Sequence, residues 1–443
     1  MNTDSINTDS LTTDSINTGP RRESSMLTTT RRGFMAGAAA GVAGGVAMQL
    51  AMPGAAGAAP YNGNTLVSVF LRGGCDGLSL VPPVGHPAYF DARPTVAVPQ
   101  DAALPLAGVG AHPDLGWHPG AVNLSALYDA GRVALMPAAG SPDHSRSHFD
   151  CQDGIDKGVP ENRLSRYDGW LGRFLSGTSS QDHPLRAFSA GSGLAPSLRG
   201  YSAIAASSVA NLGLVTWGAD TDWVTRMLAA GYTPQNAGAD LAHWSGVAFA
   251  ALDELAPVLA GDNALPAGWP TSSAGRLFFL LARLLEEGLP VQAAALDVGG
   301  WDHHDDMGAA TNTNARTRRQ VAVLDDAIGA FMARTDSAGL ANRVTLVAMT
   351  EFGRRISQND SGGTDHGYGG PMMVIGAGAV PGVHGGYPGV APADLDGGDL
   401  AVTVDHRTVL AELLTRRFGA GDLSGVFPGF DTSPATFLGA VTA

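Results

Sequence analysis

Between residues 60 and 443, short and wholly apolar runs alternate with longer stretches in which apolar side chains return every three or four positions. The first pattern predicts strands covered on both faces, and the second predicts amphipathic helices. Strands are expected at 65–71, 132–137, 185–189, 291–296, 343–349 and 371–375. Helices are expected at 121–130, 169–176, 272–287, 313–334 and 406–418, the last with Asp405 as its N-cap. Such alternation belongs to the α/β class, here a mainly parallel sheet sandwiched between helices. Residues 201–265 break the pattern and read as a lid or a helical insertion. The stretch of about 385 residues suits a single large domain over 60–443.

The first 59 residues follow other rules. Asn-Thr-Asp-Ser-Ile recurs almost unchanged from Asn2 to Thr18, a polar repeat that buries nothing, so residues 1–25 are expected to be disordered. Arg31 and Arg32 then precede an uncharged, Ala- and Gly-rich run from Met35 to Met52, which closes on small residues ending at Ala59. This is the layout of a twin-arginine export signal over 26–59, with Met26 as the expected start and cleavage near Ala59. A membrane anchor is the competing reading, but the many glycines and the cleavage site disfavour it. The expected partner during export is the twin-arginine translocase, and the expected location is periplasmic or extracellular. No stable membrane span is expected after cleavage.

Charge narrows the function further. The four arginines and four acidic residues before position 59 cancel, so the remainder carries the whole net charge of −14. A surface of that sign repels nucleic acid and anionic lipid. Lys157 is preceded by Asp156 rather than Gly, which excludes a Walker A loop. Gly73-Gly74-Cys75-Asp76-Gly77 has the wrong glycine spacing for a dinucleotide fingerprint, and Ala187-Phe188-Ser189-Ala190-Gly191 lacks the first glycine of a nucleophile elbow. Cys75 and Cys151 permit one disulfide, or else remain two inert thiols.

Ligands of parallel sheets bind beyond the carboxyl ends of the strands, and there the unusual polar residues gather. The strand at 65–71 leads into Asp76, which reads as a turn residue or a first carboxylate ligand. The strand at 132–137 leads into Ser141-Pro142-Asp143-His144-Ser145-Arg146-Ser147-His148. There Ser145 and Ser147 offer hydroxyl nucleophiles and Arg146 a clamp for an anionic ester. The strand at 291–296 leads into Asp302, His303 and His304; in extended chain Asp302 and His304 share a side, and His303 faces the other way. The strand at 343–349 leads into Glu351 and Arg354, either an ion pair or a ligand and an anion clamp. Asp365-His366-Gly367 follows within a glycine-rich loop. Carboxylates and imidazoles brought together in this way suit a divalent metal ion, with Zn, Mn, Mg and Ca all open.

Taken in order, the segments Leu71–Leu78, Arg146–Phe149, Gly169–Arg173, Gly299–His304, Glu351–Arg354 and Gly363–Gly367 resemble the exported bacterial family named domain of unknown function 1501. The resemblance spans roughly residues 64–418. That family is grouped with the alkaline phosphatase and sulfatase superfamily, which implies an alkaline phosphatase-like fold. It implies Asp76, Asp302, His304, Asp365 and His366 as metal ligands, with Ser147 or Ser145 at the nucleophile position, while Glu351 stays a ligand candidate from its strand-end place alone. The Asp-x-x-x-His of the phosphatase branch's middle group is not met at Asp297, since four residues on stands Trp301, and the sulfatase signature Cys-x-Pro-x-Arg is absent. The expected function is an exported metal-dependent hydrolase of phosphate or sulfate esters, with a small anionic ester as ligand. The other class left open is a non-catalytic extracytoplasmic protein that keeps the fold for binding or assembly.

Overall fold

The computed structural model describes residues 47–49, 63–107, 110, 112–142, 145–160, 166–178, 183–213 and 221–443. The polar repeat, most of the export signal and His144 lie outside the described residues. The described residues fall in one compact unit.

Six strands form where the apolar runs predict them: β1 (Thr65–Phe70), β2 (Val133–Gly140), β3 (Ala187–Ala190), β5 (Ala293–Asp297), β6 (Val344–Met349) and β9 (Gly370–Gly376). A seventh, β4 (Ala203–Ala206), comes from within the irregular stretch. Across the main sheet the order is β4, β3, β5, β1, β6, β9, β2. The first five run parallel, and β9 runs antiparallel between β6 and β2. Ala47–Gln49, inside the segment read as an export signal, pairs antiparallel with β4 at one edge. Gly382–Val383 and Val404–Asp405 both pair parallel with β2. The sheet is therefore mixed and mainly parallel.

Side-chain alternation along β1 explains why both faces are covered. Val67 and Val69 enter one core, while Leu66 and Phe70 enter the other. The first core packs under α1 (Val122–Asp129), α5 (Ser273–Glu286) and α6 (Arg316–Ser337) through Leu124, Phe278, Leu281, Leu324 and Phe331. The second packs under α3 (Trp170–Ser176) and α7 (His406–Phe418) through Trp170, Phe174, Leu410 and Leu414. Asp405 caps α7 by accepting from the amide of Arg407 at 2.9 Å. Residues 221–260 are helical, as Thr221–Gly231, Pro234–Ala237 and α4 (Ala239–Ala260). Among the described residues, no helix is long and apolar enough to cross a membrane.

Two further elements position the site. α2 (His148–Lys157) follows the end of β2 and is capped by Ser147. A small sheet holds the hairpin β7 (Arg354–Gln358) and β8 (Thr364–His366), in which Arg354 pairs with His366. β1, β2, β5 and β6 all end on the same edge as this hairpin, so four strand ends and one hairpin deliver their polar residues together.

Candidate metal centre

Asp302 lies at the middle of the cluster. Its Oδ1 is 3.0 Å from His304 Nε2, 3.3 Å from His366 Nε2 and 3.4 Å from His148 Nε2. The three imidazoles turn the same nitrogen inward because each outer nitrogen is already committed. His366 Nδ1 donates to the carbonyl of Arg146 at 2.8 Å. His148 Nδ1 donates to Glu351 Oε1 at 2.8 Å, and His304 Nδ1 to Asp365 Oδ1 at 3.2 Å. A carbonyl or an ionised carboxylate can only accept, so these bonds leave the Nε2 lone pairs facing Asp302.

The supporting carboxylates are held in turn. Glu351 is buried, and its Oε1 also accepts from the Gly73 amide at 2.8 Å and from Gln152 at 2.7 Å. Burial alone raises its pKa, but these donors and His148 outweigh that and hold it below the usual range. Asp365 accepts from Asn359 at 3.1 Å, and that bond, with His304, holds it low as well. For Asp302, burial is outweighed by the hydrogen bond and charge of Arg354, which hold the carboxyl far below its ordinary value. The bond to Glu351 lifts His148 above its ordinary pKa, whereas burial pushes His366 down.

Two glycines let the loops approach. A Cβ on Gly73, whose φ is +114°, would stand 2.7 Å from the Asp302 amide nitrogen. One on Gly363 would stand 2.1 Å from the carbonyl carbon of His304. Any other residue at either position pushes the Asp302–His304 loop away.

The structure brings His148, Asp302, His304 and His366 together, with Glu351 and Asp365 one layer behind them. Asp76 is elsewhere. It is buried and forked by Arg93, at 2.5 and 3.0 Å, and it also accepts from Ser79 at 2.6 Å and from the amide of Leu78 at 3.2 Å. With both oxygens engaged, Asp76 anchors the first turn after β1. Arg354, read as an anion clamp, is buried and serves as a strut. Its Nε donates to Gly74 O at 2.8 Å, Nη1 to Thr364 O at 2.9 Å, and Nη2 to Asp302 at 2.6 Å. Arg146 is paired with Asp399 and lies over the Tyr368 ring. Ser147 caps α2, accepting from Asp150 N at 3.5 Å, and Ser145 Oγ accepts from Ser147 N at 3.1 Å. His303 is a core residue beside Thr317, and burial lowers it to about 4. Cys75 and Cys151 are buried thiols not joined to each other, and Cys151 Sγ donates to the Ser145 carbonyl at 3.2 Å.

Sequence reasoning quoted His148 within a motif but did not assign it to the metal. The available signal was its place beyond a strand end, as the first residue of the helix that follows.

The donor set fits a divalent cation. One ligand atom each from His148, Asp302 and His366 lies within 4.8 Å of the others. His304 Nε2 and His366 Nε2 face each other at 2.9 Å. Among the described residues, buried His148 Nε2 has only the long contact to Asp302 Oδ1 at 3.4 Å, an arrangement that costs free energy unless a cation or proton is shared. Three imidazoles and a carboxylate suit Zn or Mn better than Ca or Mg.

Residues 133–425 match the family described as protein of unknown function DUF1501. The chain belongs to that family. No curated protein matches this DUF1501 chain. Among solved structures it is similar to an alkaline phosphatase superfamily protein from Vibrio parahaemolyticus, at 9% identity and a TM-score of 0.32. That likeness covers 76% of this chain and 65% of the other. A sulfatase from Pseudoalteromonas sp. gives 12% and 0.32, covering 72% of this chain and 64% of its own. The phosphonate monoester hydrolase of Agrobacterium radiobacter gives 11% and 0.33, covering 72% and 69%. These likenesses are loose, and the chemistry of the cluster is read from its own side chains.

Proposed function

We propose that this DUF1501 protein is an exported, metal-dependent hydrolase of phosphate or sulfate esters. The observation that carries the reading is the convergence of three Nε2 lone pairs on Asp302 Oδ1, each imidazole pinned from behind by an acceptor. His148, Asp302, His304 and His366 would hold the ion, which supplies Lewis-acid polarisation of an ester oxygen. Glu351 and Asp365 orient His148 and His304 and raise their basicity. Arg354 fixes Asp302 against β1 and the hairpin, so the site is rigid before substrate arrives. Ser147, one residue from His148, is the candidate nucleophile within the chain, and a solvent water is its competitor.

The position of the cluster beyond the carboxyl ends of the strands supports this reading. The double arginine at 31–32 supports export by the twin-arginine route.

Elemental analysis of the purified protein, followed by turnover of an aryl phosphate and an aryl sulfate, is the test. One divalent ion per chain is expected, lost in Asp302→Ala together with all turnover. Absence of bound metal, or full turnover in Asp302→Ala, ends the proposal. Ser147→Ala then separates the nucleophiles: lost turnover with unchanged metal content marks the serine, and retained turnover marks water.

A further inference from the structure

The carboxyl edge of the sheet holds a second feature, away from the imidazoles. A cavity of about 540 Å³ opens beyond the ends of β3 and β5, walled by the loop 189–196 and the first turn of α5. This volume falls in the range of small-molecule sites.

Its lining has a particular chemistry. Ser192, Ser207 and Ser273 bring hydroxyls, Leu194 and Leu277 bring apolar surface, and Arg276 brings a positive charge. Ser189 also lines it, but its hydroxyl is used to shape the loop, donating to Gly193 O at 2.8 Å and accepting from Ala195 N at 2.9 Å. Asp297, the one acidic lining group, is paired with Arg72 at 2.6 Å, so its charge is offset. Arg276 donates from Nε to the Thr271 carbonyl at 3.2 Å, which fixes the guanidinium at the cavity wall. Hydroxyls spaced around a partly apolar wall suit a ring with hydroxyls on its edge and C–H groups on its face. A single guanidinium suits one anionic substituent.

The cavity is also tied to the metal cluster. Asp297 binds Arg72, Arg72 Nη1 reaches Gln152 at 3.4 Å, Gln152 binds Glu351, and Glu351 binds His148. Gln152 and His148 sit one turn apart on α2, and Asp156 a turn further on also binds Arg72, at 2.9 Å. The floor of the cavity and the imidazole cage are thus fixed to one another through one face of one helix.

We propose that this cavity is a subsite for a small polyhydroxylated ring carrying one anionic group, a sugar acid in chemical class, with Arg276 reading the anion. The assignment rests on the hydrolase reading in one respect only: the ring is the part of the ester substrate that the cluster does not touch. Recognition by the cavity itself does not need the metal.

Methyl β-glucuronide and its neutral counterpart methyl β-glucoside are the probes, followed by saturation-transfer NMR on the whole chain, with and without chelator. The glucuronide is expected to bind, and to bind about tenfold more weakly to Arg276→Ala, the loss of one charge-assisted bond. Gly193→Trp is expected to abolish binding of both probes. Gly193 lies in the cavity wall, has no left-handed backbone, and an added Cβ meets nothing within 4 Å, so the larger side chain is tolerated. The glucoside is expected to bind weakly and to ignore Arg276→Ala. Glucuronide binding that is absent, unmoved by both variants, or lost on chelation overturns the subsite. Metal content of the same samples judges the metal centre independently: a metal-free protein that still binds glucuronide keeps the subsite and loses the hydrolase.

Discussion

His304 and His366 face each other nitrogen to nitrogen, with Nε2 atoms 2.9 Å apart and Asp302 Oδ1 within 3.3 Å of both. Since each ring already donates from Nδ1, two lone pairs meet, and only a cation or a proton relieves the contact. Binding of a metal ion between them would therefore be coupled to folding. At a free ion concentration a hundred times the dissociation constant, the gain is about 2.7 kcal/mol. Thermal unfolding should shift upward with Zn or Mn and downward with chelator, and His304→Ala/His366→Ala should abolish the shift. A chelator-insensitive Tm in the native protein would contradict this.

Glu351 should matter through His148. Its Oε1 accepts from Gly73 N, His148 and Gln152 at once, and a neutral amide cannot accept as strongly or favour the same His148 tautomer. Glu351→Gln is expected to weaken metal binding by roughly 10- to 100-fold while leaving a folded protein. Competition with a fluorescent chelator measures it. Equal affinities would show that the carboxylate only fills space.

Asp76 gives the opposite expectation. Asp76→Ala leaves Arg93 buried and unpaired, which costs about 3–5 kcal/mol. Folded Asp76→Ala should nevertheless hold as much metal as the native chain. Urea titration alongside elemental analysis separates the effects, and metal loss with unchanged stability would return Asp76 to the ligand set.

The comparison of Asp76 with Asp302 shows what could be read from the chain. The strands were legible because β1, β2, β5, β6 and β9 are apolar on both faces, and a two-faced core demands that. Strand direction then places Asp302, His304, Glu351 and Arg354 on one edge without further information. What the chain does not show is the partner of each group. Arg93 lies seventeen residues beyond Asp76, in a stretch with no motif, yet it takes up that carboxylate. Glu351 and Asp365 look like ligands by residue type, and only the ring orientations of His148 and His304 put them behind the cage. β4 was missed because four residues, Ala203–Ala206, are too short and too alanine-rich to stand out from a helical segment.

His118 carries a pH prediction that is independent of the metal. Its ring is fully buried; Nδ1 accepts from Gly120 N at 3.0 Å, and among the described residues Nε2 has no hydrogen-bond partner. Burial, and then the charge of Arg318, lower its pKa to about 4, against the opposing influence of Asp76. In the unfolded chain the group titrates near 6.5, so below that pH the unfolded state binds a proton that the folded state refuses. Stability is thus complete above about pH 6.5 and falls as the pH drops towards 4, by at most about 3 kcal/mol from this residue. His303, buried and also lowered to about 4, adds a similar loss over the same window. Urea midpoints from pH 7 to pH 4 should decline in the native chain, and His118→Gln should remove about half of that histidine-driven decline. An unchanged pH slope in His118→Gln would show that the ring is already charged in the fold.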